Sequence, residues 1–115
     1  MKTSYWKLQK NSDNQEIMQE AAALIRAGEV VSFPTETVYG LGADGLNPEA
    51  VAKIFAAKGR PNDNPLILHI AKKEDIAQLT TGLNANAKKL MEHFWPGPLT
   101  LIVNKSAIVP DAVSA

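Results

Sequence analysis

Two short apolar runs with a helix between them constrain the fold of this chain more than any other feature. Val30–Phe33 stops at Pro34, and Leu66–Ile70 starts after Pro65. Both runs are too continuously apolar for half-exposed strands, which favours strands that are covered on both faces. A strand, a helix and a second strand in this order predict a parallel βαβ unit with a right-handed crossover, and hence an α/β fold.

The helix in that unit has clear ends, and so does the helix before it. The inner helix starts at Asn47, an N-cap residue with proline at the next position, and stops at Gly59. An earlier helix over 13–27 is predicted from the S-x-x-Q capping pattern that begins at Ser12 and from Gly28 at its end. Weaker patterns predict an edge strand over 3–8, helical stretches over 73–79 and 84–94, and a strand over 99–103.

A G-x-G-x-x-G pattern occupies Gly40–Gly45, but its context argues against a dinucleotide-binding fold. That fingerprint packs its glycines between the end of a strand and the start of a helix. Here six residues separate Phe33 from Gly40, and the next helix is capped only at Asn47. Asp63, the acidic residue at a suitable distance, precedes the second strand instead of following it. The glycines are therefore predicted to serve turns and close backbone approach.

The composition narrows the classes of function. Twelve basic and twelve acidic residues cancel, so an anion site must be built locally, and Lys53, Lys58 and Arg60 are the basic cluster that suits one. The absence of cysteine excludes a disulfide framework and a thiolate nucleophile, and suits a reducing compartment. No apolar run approaches the ~18 residues of a membrane span. We therefore predict one cytoplasmic domain over 1–115.

The basic turn after the inner helix is a candidate anion site. A lysine point charge at Lys58 and an arginine fork at Arg60, on a turn stiffened by prolines, have the chemistry to clamp phosphate oxygens. Asn64 adds an amide to the same turn. The alternative is a solvated helix cap, because cations past a helix end offset the C-terminal dipole.

Two further positions are candidates for ligand contacts. Strand alternation puts His69 on the face opposite Leu66 and Leu68, near the strand end where open α/β sheets bind ligands; the alternative is a hydrogen-bonded core histidine. Thr35 and Thr37 present hydroxyl groups after a buried strand, and the alternative is an ordinary polar turn.

The remaining aromatic and histidine residues are predicted to have structural roles. Tyr39 and Trp95 are predicted to pack in the interior, because isolated aromatic residues usually do. His93 is predicted to lie on the surface of a helix. The two histidines are too far apart in the sequence to suggest a metal site.

Several long motifs occur in a fixed order along the chain: Ser32–Gly42, Lys53–Phe55, Lys58–Pro61, Asn64–Leu66, His69 and Trp95–Thr100. Taken together, they strongly resemble the YrdC-like family of threonylcarbamoyl-AMP synthases. The resemblance runs from the first helix to about Val109.

The resemblance implies a dihydroxybutanone-phosphate-synthase-like α/β fold, with a twisted mixed sheet around a concave cavity. It implies that carboxylated L-threonine, made with bicarbonate or CO₂, attacks the α-phosphate of ATP and releases pyrophosphate. Thr37 and His69, with Thr35 nearby, would contact threonine. Lys58, Arg60 and Asn64 would contact ATP, with Lys58 and Arg60 stabilising charge at the α-phosphate and Mg²⁺ arriving with ATP. The product would pass to tRNA-modification proteins that act on the adenosine next to the anticodon in tRNA.

This chain also departs from the family pattern. Family members continue with a strand that bears another arginine and with a serine- and asparagine-containing motif, whereas this sequence stops at Ala115. We therefore expect an incomplete YrdC-like domain of uncertain activity, with an uncovered sheet edge that favours self-association.

Two other functions stay open on the sequence. An RNA-binding module would use the basic cluster of Lys53, Lys58 and Arg60 on the RNA backbone, although zero net charge disfavours strong RNA affinity. Carbamoyl transfer for metallocentre assembly occurs in larger proteins with such a domain, and the lack of acylphosphatase and zinc-finger segments argues against it here.

Overall fold

The computed structural model describes residues 2–10, 13–59 and 65–114. Among them, no helix is long and apolar enough to cross a membrane. The elements in chain order are α1 (Gln15–Arg26), β1 (Val31–Phe33), β2 (Gly40–Gly42), α2 (Pro48–Lys58), a 3₁₀ turn (Lys73–Asp75), α3 (Ile76–Leu79), α4 (Ala85–Phe94) and α5 (Asp111–Ser114).

Helix α1 confirms the first predicted helix, with a stop signal at its C-terminus. The amide N–H groups of Gly28 and Glu29 donate to the carbonyls of Ile25 and Leu24, both at 3.0 Å. Gly28 has a φ of 86°, the left-handed conformation that this type of helix end requires. The predicted capping residue Ser12 lies outside the described residues, and the helix begins at Gln15.

Helix α2 has the predicted ends. The Asn47 side chain accepts hydrogen bonds from the backbone N–H groups of Glu49 at 3.0 Å and Ala50 at 3.3 Å. Pro48 occupies the first turn, and Gly59 ends the helix with a φ of 61°. Both helix ends are set by residues next to them in the sequence, so the local sequence pattern predicts them.

Lys53 ties α2 to the end of α1. Its ammonium donates to the Gly28 carbonyl at 2.9 Å and lies 3.3 Å from the Glu29 carboxylate. The lysine that was predicted to join a basic cluster with Lys58 and Arg60 is therefore engaged in a structural contact.

The sheet differs from the predicted parallel βαβ unit. Among the described residues it has two strands, and β1 pairs with β2 in antiparallel register, with Phe33 opposite Gly40 and Val31 opposite Gly42. The Phe33 ring lies over both glycines, because a Cβ added to either would come within 2.9 Å of it. The prediction that these glycines allow close backbone approach is confirmed. A six-residue loop joins the two strands, so this pair needs no crossover helix.

One hydrophobic cluster joins α2 to the end of the chain. Val51 and Phe55 from α2 pack against Val109 and Val113, and all four are at most 6% exposed. Leu66, Leu68 and Leu79 pack against this cluster. The Leu66 amide also donates to the Val113 carbonyl at 2.8 Å. The stretch after Asn104, which shows no strong periodicity in sequence, thus supplies half of the buried cluster.

Lys105 braces that C-terminal stretch. Its ammonium lies 2.7 Å from the Asp111 carboxylate and donates to the Val109 carbonyl at 3.1 Å. The hydrogen bond and positive charge of Lys105 favour the ionised carboxylate, so the pKa of Asp111 falls below its usual value.

Three predicted strands do not form strands in the described part of the chain. Residues 3–8 form no helix or strand and are mostly exposed, and 65–70 and 99–103 have no strand partner there. The last two still alternate like strands, because Leu66, Leu68, Leu99 and Leu101 are partly covered while Ile67 and Ile102 are 61% and 101% exposed. The predicted strands covered on both faces are therefore wrong for the described part of the chain, because pairing depends on a neighbour that the apolar pattern does not specify. The helical stretches predicted over 73–79 and 84–94 are confirmed.

Candidate functional site

The loop between β1 and β2 carries both candidate threonine residues. The Thr35 hydroxyl donates to the Val38 carbonyl and accepts from the Thr37 amide N–H at 3.4 Å. These contacts fold the loop back on itself, so the Thr35 hydroxyl shapes the turn. Thr37 is exposed, and among the described residues its side chain has no hydrogen bond. Thr37 is therefore the loop hydroxyl best placed to bind a ligand.

Lys58 lies in the last turn of α2 and is exposed. Within the described part of the chain it forms no salt bridge, whereas Lys53 and Lys105 both do. Its position suits both an anion-binding lysine and a cation that offsets the helix dipole. Arg60 and Asn64, the other two predicted ATP contacts, lie outside the described residues.

His69 is exposed, so the alternative of a core histidine is wrong. The segment 65–70 turns Leu66 and Leu68 towards the hydrophobic cluster and His69 away from it. The Nδ1 atom of His69 lies 3.1 Å from the Ile67 carbonyl oxygen. A carbonyl oxygen only accepts, so Nδ1 is the donor in this contact, and Nε2 is the ring nitrogen left for a ligand.

Leu68 connects the segment that carries His69 to its surroundings. It rests on Gly45, where an added Cβ would collide with its Cδ2 atom, so the segment with His69 lies against the turn after β2. Leu68 also packs on the cluster that contains Phe55, one helical turn before Lys58. Among the described residues, no hydrogen bond joins Thr37, Lys58 and His69 to one another. Leu68 thus links the segment with His69 to α2 and to the turn after β2, whereas Thr37 lies on the loop before β2.

Two depressions of the described surface lie away from these residues. One is lined by polar residues at the start of α1, and another by one face of α4. In the same part of the chain, no three His, Cys, Asp or Glu side chains are grouped to hold a metal ion. The residues of the second depression are Asn86, Lys89, Leu90, His93 and Phe94.

Two predictions about aromatic residues have different outcomes. Trp95 is half-buried and its indole N–H donates to the Leu99 carbonyl at 2.9 Å, as a packing residue would. Tyr39 is 75% exposed, so its predicted interior position is wrong. It comes at the end of the polar loop, directly before the short strand Gly40–Gly42. That place at the end of a polar loop is the sequence signal for an exposed side chain.

His93 lies on the surface, as predicted. It is exposed on α4, and its Nδ1 atom lies 2.8 Å from the Lys89 carbonyl oxygen, one turn earlier. Its contact resembles that of His69 but lies on a helix instead of an extended segment. His93 therefore offers a matched comparison for His69.

Comparisons with known proteins agree on one family. The model of the Sua5/YciO/YrdC family, described as telomere recombination, matches residues 23–115. A threonylcarbamoyl-AMP synthase of Bacillus subtilis (strain 168) is 52% identical over 117 residues, which cover 99% of this chain and 33% of the relative.

Two solved structures of Pyrococcus abyssi Sua5 are also similar to this chain. A doubly substituted form has a TM-score of 0.85 and 49% identity, and the match covers 90% of this chain and 32% of that one. A complex with L-threonine has a TM-score of 0.79 and 53% identity, and the match covers 84% of this chain and 28% of that one. This chain thus spans about a third of the length of these relatives, and the matched part is mixed α/β.

Proposed function

Because this chain belongs to the Sua5/YciO/YrdC family, we propose that it provides part of the site of a threonylcarbamoyl-AMP synthase. The substrates would be L-threonine, bicarbonate or CO₂, and ATP. The observation that carries the proposal is the similarity, at 53% identity over 84% of this chain, to a Pyrococcus abyssi protein solved with L-threonine. The relatives are three times longer, so the full reaction is proposed for the protein that contains all of the site.

Threonine would bind between the β1–β2 loop and the segment with His69. The Thr37 hydroxyl donates and accepts, so it suits the carboxylate, ammonium or hydroxyl group of the amino acid. In the neutral ring tautomer with Nδ1 donating to Ile67, the Nε2 atom of His69 is an acceptor, which suits the threonine ammonium or hydroxyl group. The Thr35 hydroxyl would act on the ligand through the loop that it folds.

ATP would bind at the end of α2. Lys58, with Arg60 and Asn64 from the turn after it, would contact the phosphates and ribose. In the reaction, an oxygen of the N-carboxylate (carbamate) group of N-carboxythreonine forms a bond to the α-phosphorus while the bond from that phosphorus to pyrophosphate breaks. Negative charge grows at the phosphorus oxygens in that step, and fixed cations stabilise it without a side-chain nucleophile. Mg²⁺ would arrive with ATP, since this ion binds largely through substrate phosphates in such sites.

The first experiment measures threonine binding by calorimetry and, separately, pyrophosphate release from MgATP with and without threonine and bicarbonate. We expect His69→Ala and Thr37→Val each to weaken threonine binding about tenfold, because each removes a hydrogen bond to a charged ligand. We expect Lys58→Met to weaken ATP binding about tenfold and to leave threonine binding unchanged.

Three matched substitutions provide controls. His93→Ala removes an exposed histidine with the same kind of Nδ1 contact, Lys88→Met removes an exposed helix lysine, and Thr81→Val removes an exposed threonine hydroxyl. Each is expected to bind both substrates like the wild type. Equal losses in the site variants and their controls would contradict the assigned roles. A folded chain that binds threonine but releases no pyrophosphate would be an inactive part of the synthase.

RNA binding is the weaker hypothesis for this chain. Lys53, one of its three proposed cations, is held by Gly28 and Glu29. An RNA complex would also weaken steeply with salt, whereas a threonine site would respond little. We propose instead that tRNA binds at a later step, to cytoplasmic modification proteins that receive the threonylcarbamoyl adenylate.

We also propose that copies of this chain associate through the uncovered segment 99–103. Ile102 is fully exposed on it, and in the described part of the chain this segment has no strand partner. A second copy that adds its own extended segment would pair these backbones and cover the isoleucine. We expect sedimentation velocity to show that the wild-type chain self-associates and that Ile102→Lys abolishes this association. The control is Met18→Lys, which places the same charge at a half-exposed position of α1 and should leave the association unchanged. If Ile102→Lys still associates, segment 99–103 is not the surface through which the copies associate.

A further inference from the structure

Tyr39 is the residue of the candidate site that neither the core nor the predicted ligand contacts explain. Its side chain is 75% exposed. A tyrosine ring stabilises a fold mainly by burying its large apolar body, and Tyr39 contributes little of that here. It lies two residues after Thr37, the exposed hydroxyl assigned to threonine. An aromatic surface therefore lies in sequence directly beside the proposed ligand contact.

The backbone on both sides of Tyr39 is anchored. Before it, the Val38 carbonyl accepts from the Thr35 hydroxyl, which also accepts from the Thr37 amide. After it, Gly40 starts β2 and lies under the Phe33 ring. The anchored backbone limits the positions that the exposed ring can reach. An anchored backbone with an exposed ring is the arrangement expected of a side chain that meets a ligand.

The ring and the Phe33 side chain leave the hairpin on opposite faces. In a strand, successive side chains alternate, and Gly40 faces the Phe33 ring. Tyr39, one position earlier, is therefore directed away from that ring. Thr37 lies in the bent part of the same loop, two residues before Tyr39. A ligand held by the Thr37 hydroxyl would therefore lie close to the position of the tyrosine ring.

We propose that the Tyr39 ring packs against the methyl group of bound threonine and so selects threonine over serine. This inference rests on the proposed function. The two amino acids share every polar group and differ by that methyl, so only an apolar contact distinguishes them. A single methyl or methylene group in an apolar contact changes affinity by roughly four- to tenfold. The hydroxyl of Tyr39 is not needed for this discrimination.

The test compares threonine with serine by calorimetry in the wild type, Tyr39→Ala and Tyr39→Phe. The wild type is expected to bind threonine roughly four- to tenfold more tightly than serine. Tyr39→Ala is expected to bind threonine as weakly as serine, with serine affinity unchanged. Tyr39→Phe keeps the ring and is expected to keep the preference. Tyr5→Ala, which removes a tyrosine that is 91% exposed near the N-terminus, should behave like the wild type.

Each contrary result has one meaning. A Tyr39→Ala chain that keeps the preference for threonine would overturn the selectivity role and leave the proposed function intact. Equal weakening for both amino acids, with an unchanged circular dichroism spectrum, would show a role in the loop backbone and would also overturn selection by the methyl group. A folded wild-type chain that binds neither amino acid would remove the proposed threonine site, and this inference with it.

Discussion

Replacing Phe55 with alanine is expected to lower the free energy of unfolding by about 3–5 kcal/mol, the range for removing a buried phenyl ring. Phe55 is 6% exposed and packs in the cluster that joins α2 to Val109 and Val113. A chain of this size has a total stability of about 5–15 kcal/mol. The loss would therefore be a large fraction of the total, and urea unfolding followed by circular dichroism would measure it.

The matched control for this substitution is Phe94→Ala. Phe94 ends α4 and is 57% exposed, so the same change removes a ring that is already largely in water. We expect a loss of less than about 1 kcal/mol. Similar losses at Phe55 and Phe94 would mean that the cluster around α2 is not the main source of stability.

The Phe55→Ala substitution in the core is also expected to affect the candidate site. Leu66 and Leu68 pack on the cluster, and His69 follows on the same extended segment. A cavity at Phe55 removes the surface on which that segment rests, so threonine affinity should fall in the fraction of Phe55→Ala that stays folded. Phe94→Ala, which leaves this support intact, should bind threonine like the wild type.

The helices were predictable because their signals are local. Asn47, Gly59 and Gly28 act within a turn of themselves, so a short window of sequence contains both the signal and its effect. The apolar residues of α1 and of α4 likewise repeat within a single helix, so each helix is predicted from its own sequence. For such elements the sequence predicted the helix ends to within about two residues.

The sheet and half of the core were not predictable in this way. Strand β2 has no β-branched residue, and it forms because Gly40 and Gly42 allow Phe33 to lie across it. Val113 reaches the core from the four-residue helix α5 and Val109 from the turn before it, and this stretch has no detectable period. Both features depend on contacts between distant or atypical segments, and neither hydrophobic periodicity nor turn signals encode the partner.

The candidate site was predictable in part for a related reason. The outward face of His69 follows from alternation along one segment, and the position of Lys58 follows from one helix end. The engagement of Lys53 by Gly28 and Glu29 links residues about 25 positions apart, so it was missed. The roles assigned to Thr37, Lys58 and His69 rest on the family resemblance and stay predictions until their binding is measured.

Gly97 should tolerate a side chain much less well than Gly82. The turn at Gly97 follows α4 and includes the cis Trp95–Pro96 peptide bond. A Cβ added at Gly97 would lie 2.5 Å from the Phe94 carbonyl oxygen, whereas one added at Gly82 would meet nothing within 4 Å. Backbone cannot move aside as the end of a flexible side chain can. We expect Gly97→Ala to lower the free energy of unfolding by about 1–3 kcal/mol.

Gly82→Ala is the control for this close approach. Its φ is not in the left-handed range and its surroundings are open, so alanine should be neutral or add up to about 1 kcal/mol by restricting the unfolded chain. The two variants carry the same chemical change, so any difference in their urea midpoints reports the space at Gly97. Loss of the Leu99 N–H contact to the Gly97 carbonyl, now 2.9 Å, would accompany the destabilisation. Equal midpoints would mean that the turn after α4 shifts freely, and that its glycine is not required by packing.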